Sequence, residues 1–122
     1  MKNITMIVSV IPKLPFVNKA DTIFFYVNQL EFELKSDYGD YLIMEKDGVE
    51  VHFFSFPGLI PEKSDFMVYV RIDTNIESLF EQYKSKHPAL KWILDLETKP
   101  WGQKEFSLSD PSGTCLTFGQ SV

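Results

Sequence analysis

Few residues in this chain could do chemistry, and they fall into two groups. His52 and Glu50 lie two apart in Val49–Phe54, whose alternation puts Val49, Val51 and Phe53 on one side and Glu50, His52 and Phe54 on the other. A histidine and a carboxylate on one strand face could move a proton. His52 together with Cys115 could form a nucleophile pair if the fold brought them close. The plainer readings are a cleft histidine bonded to a neighbour, and a cysteine serving as a small apolar side chain. The second group could stack. Trp101 sits in the turn Pro100-Trp101-Gly102, where its own core is poorly placed to cover it. Tyr38 and Tyr41 follow Ser36-Asp37. A flat cationic ligand needs aromatic faces and nearby carboxylates, here from Glu50, Asp37 and Asp40. The candidate ligand contacts that the pattern leaves uncovered or turns to the cleft are Trp101, His52, Phe54 and Glu50. The alternative role for Trp101 is an anchor in a subunit interface.

The chain that must position these residues has 122 of them, enough for one domain, with 44% hydrophobic and 15% aromatic content to build a core. A net charge of −5 disfavours nucleic acid, whose phosphates it would repel. One cysteine allows no internal disulfide and fits a reducing compartment. The opening MKNITMIVSVIPKLP has neither an uninterrupted apolar segment nor a small-residue cleavage site, and no stretch reaches the roughly 20 apolar residues of a membrane span. The expectation is a soluble, cytoplasmic protein with a small-molecule partner and no membrane or nucleic-acid contact.

The elements repeat. Ile4–Phe16 is β-branched and apolar but broken by Pro12 and Pro15, which predicts an irregular or edge strand. Asn18 caps a helix running to about Leu30. Strand patterns follow at Phe32–Lys35, Tyr41–Met44 and Val49–Phe54, the last two joined by Lys46-Asp47-Gly48. After a Phe56-Pro57-Gly58…Pro61 loop the order recurs. Phe66–Ile72 reads as a strand, and Thr74-x-x-Glu77 predicts a capping box for a helix that stops near His87, before Pro88. Trp92–Glu97, Lys104–Ser109 and Thr114–Phe118 read as strands, the last two turning at Asp110–Gly113. A shift of 65 residues carries Tyr41 to Phe106, Ile43 to Leu108, Gly48 to Gly113, Val51 to Leu116 and Phe53 to Phe118. The reading is α+β: two βαβββ modules, residues 1–60 and 61–122, each with a helix on one sheet face. The other faces together enclose a concave cleft.

Three stretches carry a family likeness. Ile11-Pro-Lys-Leu-Pro-Phe-Val17 with Phe25-Tyr26 and Leu30-Glu-Phe32 is similar to the opening of the glyoxalase/bleomycin resistance family. His52-Phe-Phe-Ser-Phe-Pro-Gly-Leu-Ile-Pro61 looks like a segment of a transposon-borne branch. The closing PWGQKEFSLSDPSGTCLTF resembles the end of the bleomycin resistance proteins. The resemblance implies the vicinal oxygen chelate fold and a homodimer with ligand grooves between subunits. Its resistance members sequester a cationic bleomycin-type glycopeptide without chemistry. It also implies that Trp101 borders the groove and that Tyr38 and Tyr41 line it. The alternative from the same superfamily is a metal-dependent glyoxalase-like lyase, dioxygenase or thiol transferase.

The enzymes of that superfamily hold a divalent metal with one ligand on each of four cleft-facing strands. The resemblance places the last ligand at Thr117, counted from Asp110-Pro-Ser-Gly113, and its repeat mate at His52; the other two fall near Ile11 and Met67. A neutral hydroxyl replaces a carboxylate poorly on a divalent ion, and only His52 is a ligand by type. The expectation is no metal, no cofactor and no catalytic residue: a binding protein rather than an enzyme.

Overall fold

The apolar residues of each half alternate along three antiparallel strands and repeat with helical spacing along one helix, and the chain folds accordingly. In the computed structural model, which describes residues 3–122, the first half contains β1 (Lys13–Phe16), α1 (Lys19–Ile23), β2 (Glu33–Asp37), β3 (Tyr41–Lys46) and β4 (Val49–Ser55). The second contains β5 (Met67–Arg71), α2 (Ile76–Lys86), β6 (Lys91–Thr98), β7 (Gln103–Ser109) and β8 (Cys115–Ser121). Each half makes its own four-stranded sheet, in the orders β1-β4-β3-β2 and β5-β8-β7-β6. The first strand of each half runs parallel to the last, and the other pairs are antiparallel. This is the paired βαβββ arrangement. Among the described residues no helix is long and apolar enough to cross a membrane.

Several local expectations hold. The Asn18 side chain accepts from the Asp21 N–H at 3.0 Å and caps α1. The helical run does reach Leu30, though from Phe24 to Gln29 it widens into a π-helical turn, closed by the Leu30 N–H on the Phe25 carbonyl. β1 is an edge strand, as Pro15 within it favours, but it covers only Lys13–Phe16; residues 3–12, including Pro12, have no regular structure.

The capping box at Thr74 does not form. Asn75, in the left-handed region at φ 59°, precedes the helix with no side-chain cap. The first helical N–H, on Ile76, donates instead to Gln120 Oε1 of β8 at 2.8 Å, and Glu77 pairs with Lys104. A long-range acceptor has replaced the local one.

The uniform shift of 65 residues also fails, for one strand in each half. Four residues, 46–49, separate the cross-strand partners Glu45 and Glu50; five, 110–114, separate their counterparts Ser109 and Cys115. The extra residue leaves β8 at a shift of 65 from β4 but puts β7 at 64 from β3. Tyr41, opposite Phe54, therefore matches Glu105, opposite Gly119, and Leu42 matches Phe106. A slip of one residue exchanges the two faces of a strand. Tyr41 and Ile43 accordingly lie on the face away from the core, whereas Phe106 and Leu108 are fully buried.

One core serves both halves. Tyr26 packs on Phe53 at 4.7 Å between ring centroids. Phe106 stacks on its cross-strand partner Phe118 at 4.9 Å, with the Tyr83 ring edge-on to both. The halves are clasped at the second turn. The buried Asp110 carboxylate accepts from the N–H groups of Ser112 and Thr114 and, at 2.6 Å, from the Tyr26 hydroxyl of the first half. Val17 N–H donates to Ser112 Oγ. Gly113, at φ 85°, lies so close to Pro61 that an added Cβ would sit 2.1 Å from its carbonyl oxygen.

Two predictions follow from the clasp. Removing the hydroxyl that a buried carboxylate accepts should cost about 1.5–3 kcal/mol, so Tyr26→Phe should lower the urea midpoint while leaving the unfolding slope unchanged. Burial pushes the Asp110 carboxyl up, against the lowering effect of its hydrogen bonds. A carboxyl raised in the folded state stabilises most when protonated. Its contribution is complete below the ordinary value of about 3.9 and is lost as pH rises through the raised one. The stability difference between wild type and Asp110→Asn should therefore favour the wild type most near pH ~4 and least near pH ~7. A difference independent of pH contradicts this.

Candidate functional site

Each sheet turns one face to the core and leaves the other open, and the open faces carry the chemistry. On the first sheet, β3 contributes Tyr41, Ile43 and Glu45, and β4 contributes Glu50, His52 and Phe54, all half-buried. The Tyr41 hydroxyl lies 2.7 Å from His52 Nδ1, and His52 Nε2 lies 2.5 Å from Glu50 Oε2. The structure thus brings three of the six candidates into one chain of contacts. The contacts of His52 are to Tyr41 and Glu50, whereas the Cys115 sulfur lies 3.9 Å from Thr117 Oγ1. Phe54 stands apart from that chain in an aromatic group with Phe56 and Phe66. Tyr38 is 69% exposed in the loop before β3.

The remaining candidate, Trp101, belongs to a second group on the other sheet. Its turn is set by the sequence: Lys99 O accepts from Gly102 N–H across Pro100-Trp101, and Gly102 takes the positive φ of 77° that a three-residue hairpin loop requires. The indole is 63% exposed, and its N–H donates to Glu105 Oε2 at 3.0 Å. Tyr69, from β5, donates its hydroxyl to the same oxygen at 2.8 Å. Burial and the Glu105 carboxylate push the Tyr69 hydroxyl up, which keeps it a donor. Tyr69, Arg71, Trp101, Gln103 and Glu105 line an open surface pocket of about 360 Å³. Glu105 itself is buried, and both of these bonds reach it at Oε2 rather than Oε1.

This pocket contains no residue of the first sheet. The single chain therefore carries two separate groups of side chains, one on each sheet. Tyr69, Gln103 and Glu105 were absent from the sequence-derived candidates, Glu105 because the shift of 65 paired Tyr41 with Phe106. The alternation of Phe106 and Leu108 with Glu105, Ser107 and Ser109 is the signal that locates Glu105 on the open face.

The Tyr69 platform depends on Gly119. A Cβ at that position would lie 1.7 Å from the Tyr69 hydroxyl oxygen. The equivalent residue of the first half is Phe54, so the platform exists on one sheet only.

The four positions where the fold family places metal ligands can now be read from the ladders. Lys13 lies opposite His52, and Tyr69 opposite Thr117. The first and third positions are thus two residues later than the Ile11 and Met67 inferred from sequence. Lysine, histidine, tyrosine and threonine do not make a donor set for a divalent cation. The Thr117 hydroxyl is 2.9 Å from Ser107 Oγ, and both nitrogens of His52 are engaged. Among the described residues no three His, Cys, Asp or Glu side chains converge as a metal-binding group.

Paired βαβββ modules with open sheet faces define the vicinal oxygen chelate class. No family model and no curated protein matches the chain, but solved structures do. A bleomycin-binding protein complexed with bleomycin is 27% identical, with a TM-score of 0.81, over 93% of this chain and 98% of that one. A bleomycin resistance determinant encoded on transposon Tn5 is also 27% identical, with a TM-score of 0.80, over 93% and 97%. The bleomycin-binding protein of bleomycin-producing Streptomyces verticillus, complexed with copper(II)-bleomycin, shares the fold at 19% identity and a TM-score of 0.76, over 94% and 97%. The chain thus shares the fold of the glyoxalase/bleomycin resistance proteins and resembles the bleomycin resistance branch among them.

Gly119→Ala tests the platform. Overpacking against Tyr69 should cost about 1–3 kcal/mol. Adding Tyr69→Ala should recover most of that loss, because the clash is gone. A double variant that is additively worse would contradict the assigned contact.

Proposed function

We propose that this protein sequesters a cationic, flat antibiotic of the bleomycin type, acting as a binding protein without metal chemistry of its own. The observation that carries the reading is the group formed by Trp101, Tyr69 and Glu105. Two aromatic rings border a carboxylate that they both bond at Oε2, a chemistry suited to a ligand that joins aromatic rings to a positive charge. The likeness to a bleomycin-binding protein complexed with bleomycin supports it. The unsuitable donor set speaks against the enzymatic alternative. The single half-buried Cys115 is compatible with a cytoplasmic setting.

The binding unit in this reading is a homodimer. Ile4, Met6, Ile7, Val8 and Val10 are 74–89% exposed along the segment that leads into β1, and Met67 on the edge strand β5 is 75% exposed. Contiguous apolar surface of this kind marks an interaction site, and an unpaired sheet edge is a ready template for another strand. A second copy would cover this surface and set the open face of one subunit against that of the other. The half-sites that lie apart in one chain then share a groove.

Calorimetric titration with bleomycin tests the reading. Trp101→Ala and Glu105→Gln should each weaken binding about tenfold or more, from lost stacking and a lost charge-assisted hydrogen bond, with unchanged circular dichroism. Unchanged affinity in the Trp101 variant contradicts the assignment. In sedimentation the protein should have twice the mass of its 14.1 kDa chain, and deletion through Val10 should yield monomer with weakened binding.

A further inference from the structure

We propose that His52 is a positioning residue that fixes the hydrogen-bonding polarity of Tyr41, so that the first sheet's open face selects ligand groups bearing an N–H or O–H. The inference rests on the ligand-binding reading above and states what one half of the site selects.

The argument follows the protons. Glu50 Oε2 is an acceptor 2.5 Å from His52 Nε2, which places the ring proton on Nε2. The other nitrogen of a neutral imidazole is an acceptor. It lies 2.7 Å from the Tyr41 hydroxyl, which therefore donates to it. The single hydroxyl hydrogen of Tyr41 is committed to His52, and its oxygen presents only lone pairs to a ligand. An ammonium, amide N–H or hydroxyl is accepted there. A bare carbonyl meets lone pairs and gains nothing.

The neighbours hold this geometry. The Tyr41 and His52 rings meet edge to face at 5.3 Å and 82°. On the flanking strands, Ile43 lies opposite His52 and Phe54 opposite Tyr41. The charged groups around the chain are Lys13 of β1, whose ammonium lies 5.5 Å from the Tyr41 ring centroid, and Glu45 of β3, opposite Glu50. The second half carries no counterpart. Thr117 replaces His52 and bonds Ser107, and Cys115 replaces Glu50. The polarity device is therefore built into one half-site only.

Two readouts test it. A two-bond ¹⁵N–¹H correlation spectrum of the free protein reads the His52 tautomer at neutral pH, with His87→Gln assigning the second histidine. The Nε2–H tautomer is expected; an Nδ1–H tautomer or a doubly protonated ring overturns the proposal. The second readout is chemical-shift titration with benzamide and N,N-dimethylbenzamide, which share a ring and a carbonyl but differ in N–H donors. The wild type should prefer benzamide by about fivefold, the worth of a neutral hydrogen bond. The preference should vanish in Tyr41→Phe and shrink in Glu50→Gln. Equal affinity in the wild type, a preference that survives Tyr41→Phe, or binding of neither amide overturns it. Failure to bind bleomycin with the tautomer and the amide preference intact counts against the proposed antibiotic instead.

Discussion

The structure turns on a buried carboxylate in a tight turn. Asp110 accepts two backbone N–H groups of its own turn and the hydroxyl of Tyr26 from the other half of the chain. An unpartnered charge at this depth would cost several kcal/mol, and three donors offset part of that cost, burial still holding the carboxyl above its ordinary value. The turn built around Asp110 is also one residue longer than its counterpart in the first half. That residue sets the parity of β7. It puts Glu105 and Ser107 on the open face and Phe106 and Leu108 in the core. The clasp that joins the halves is thus also the device that makes their open faces chemically different.

That difference sets what each face presents. One face offers an aromatic and histidine group, Tyr41, His52 and Glu50, with Phe54 nearby. The other offers Trp101 and Tyr69 around Glu105, over a floor of small hydroxyl and thiol side chains. Gly119 makes room for the Tyr69 ring where the first half has Phe54. In place of four metal ligands the family positions carry Lys13, His52, Tyr69 and Thr117. All four side chains make polar or cation–π contacts with residues on the same face of their sheet, Lys13 through the Tyr41 ring. The framework of a chelating fold is kept while its polar positions serve hydrogen bonding and stacking.

Much of the fold was legible because it rests on local pattern. Alternation in Val49–Phe54 assigns His52 and Glu50 to one face, and Asn18 announces its helix. The order βαβββ can be read twice. What was not legible depends on long-range partners or on loop length. Gln120 from the last strand takes the N–H that the capping box would have served. The five-residue turn at Asp110 hides the true counterpart of Tyr41, and with it Glu105. Tyr69 reaches Glu105 from a different strand, a contact that no local pattern encodes. The exposure of Trp101 could be seen from its turn, but its hydrogen-bond partner could not.

The most direct measurement is a crystal structure of the protein with bleomycin bound. The account predicts two ligands per dimer, each with an aromatic portion against Trp101 of one subunit and a hydrogen-bond donor directed at Glu105, with Tyr41 and His52 of the partner subunit on the opposite wall. A ligand bound away from Glu105, or a protein-held metal ion at His52 in the same crystals, would contradict it.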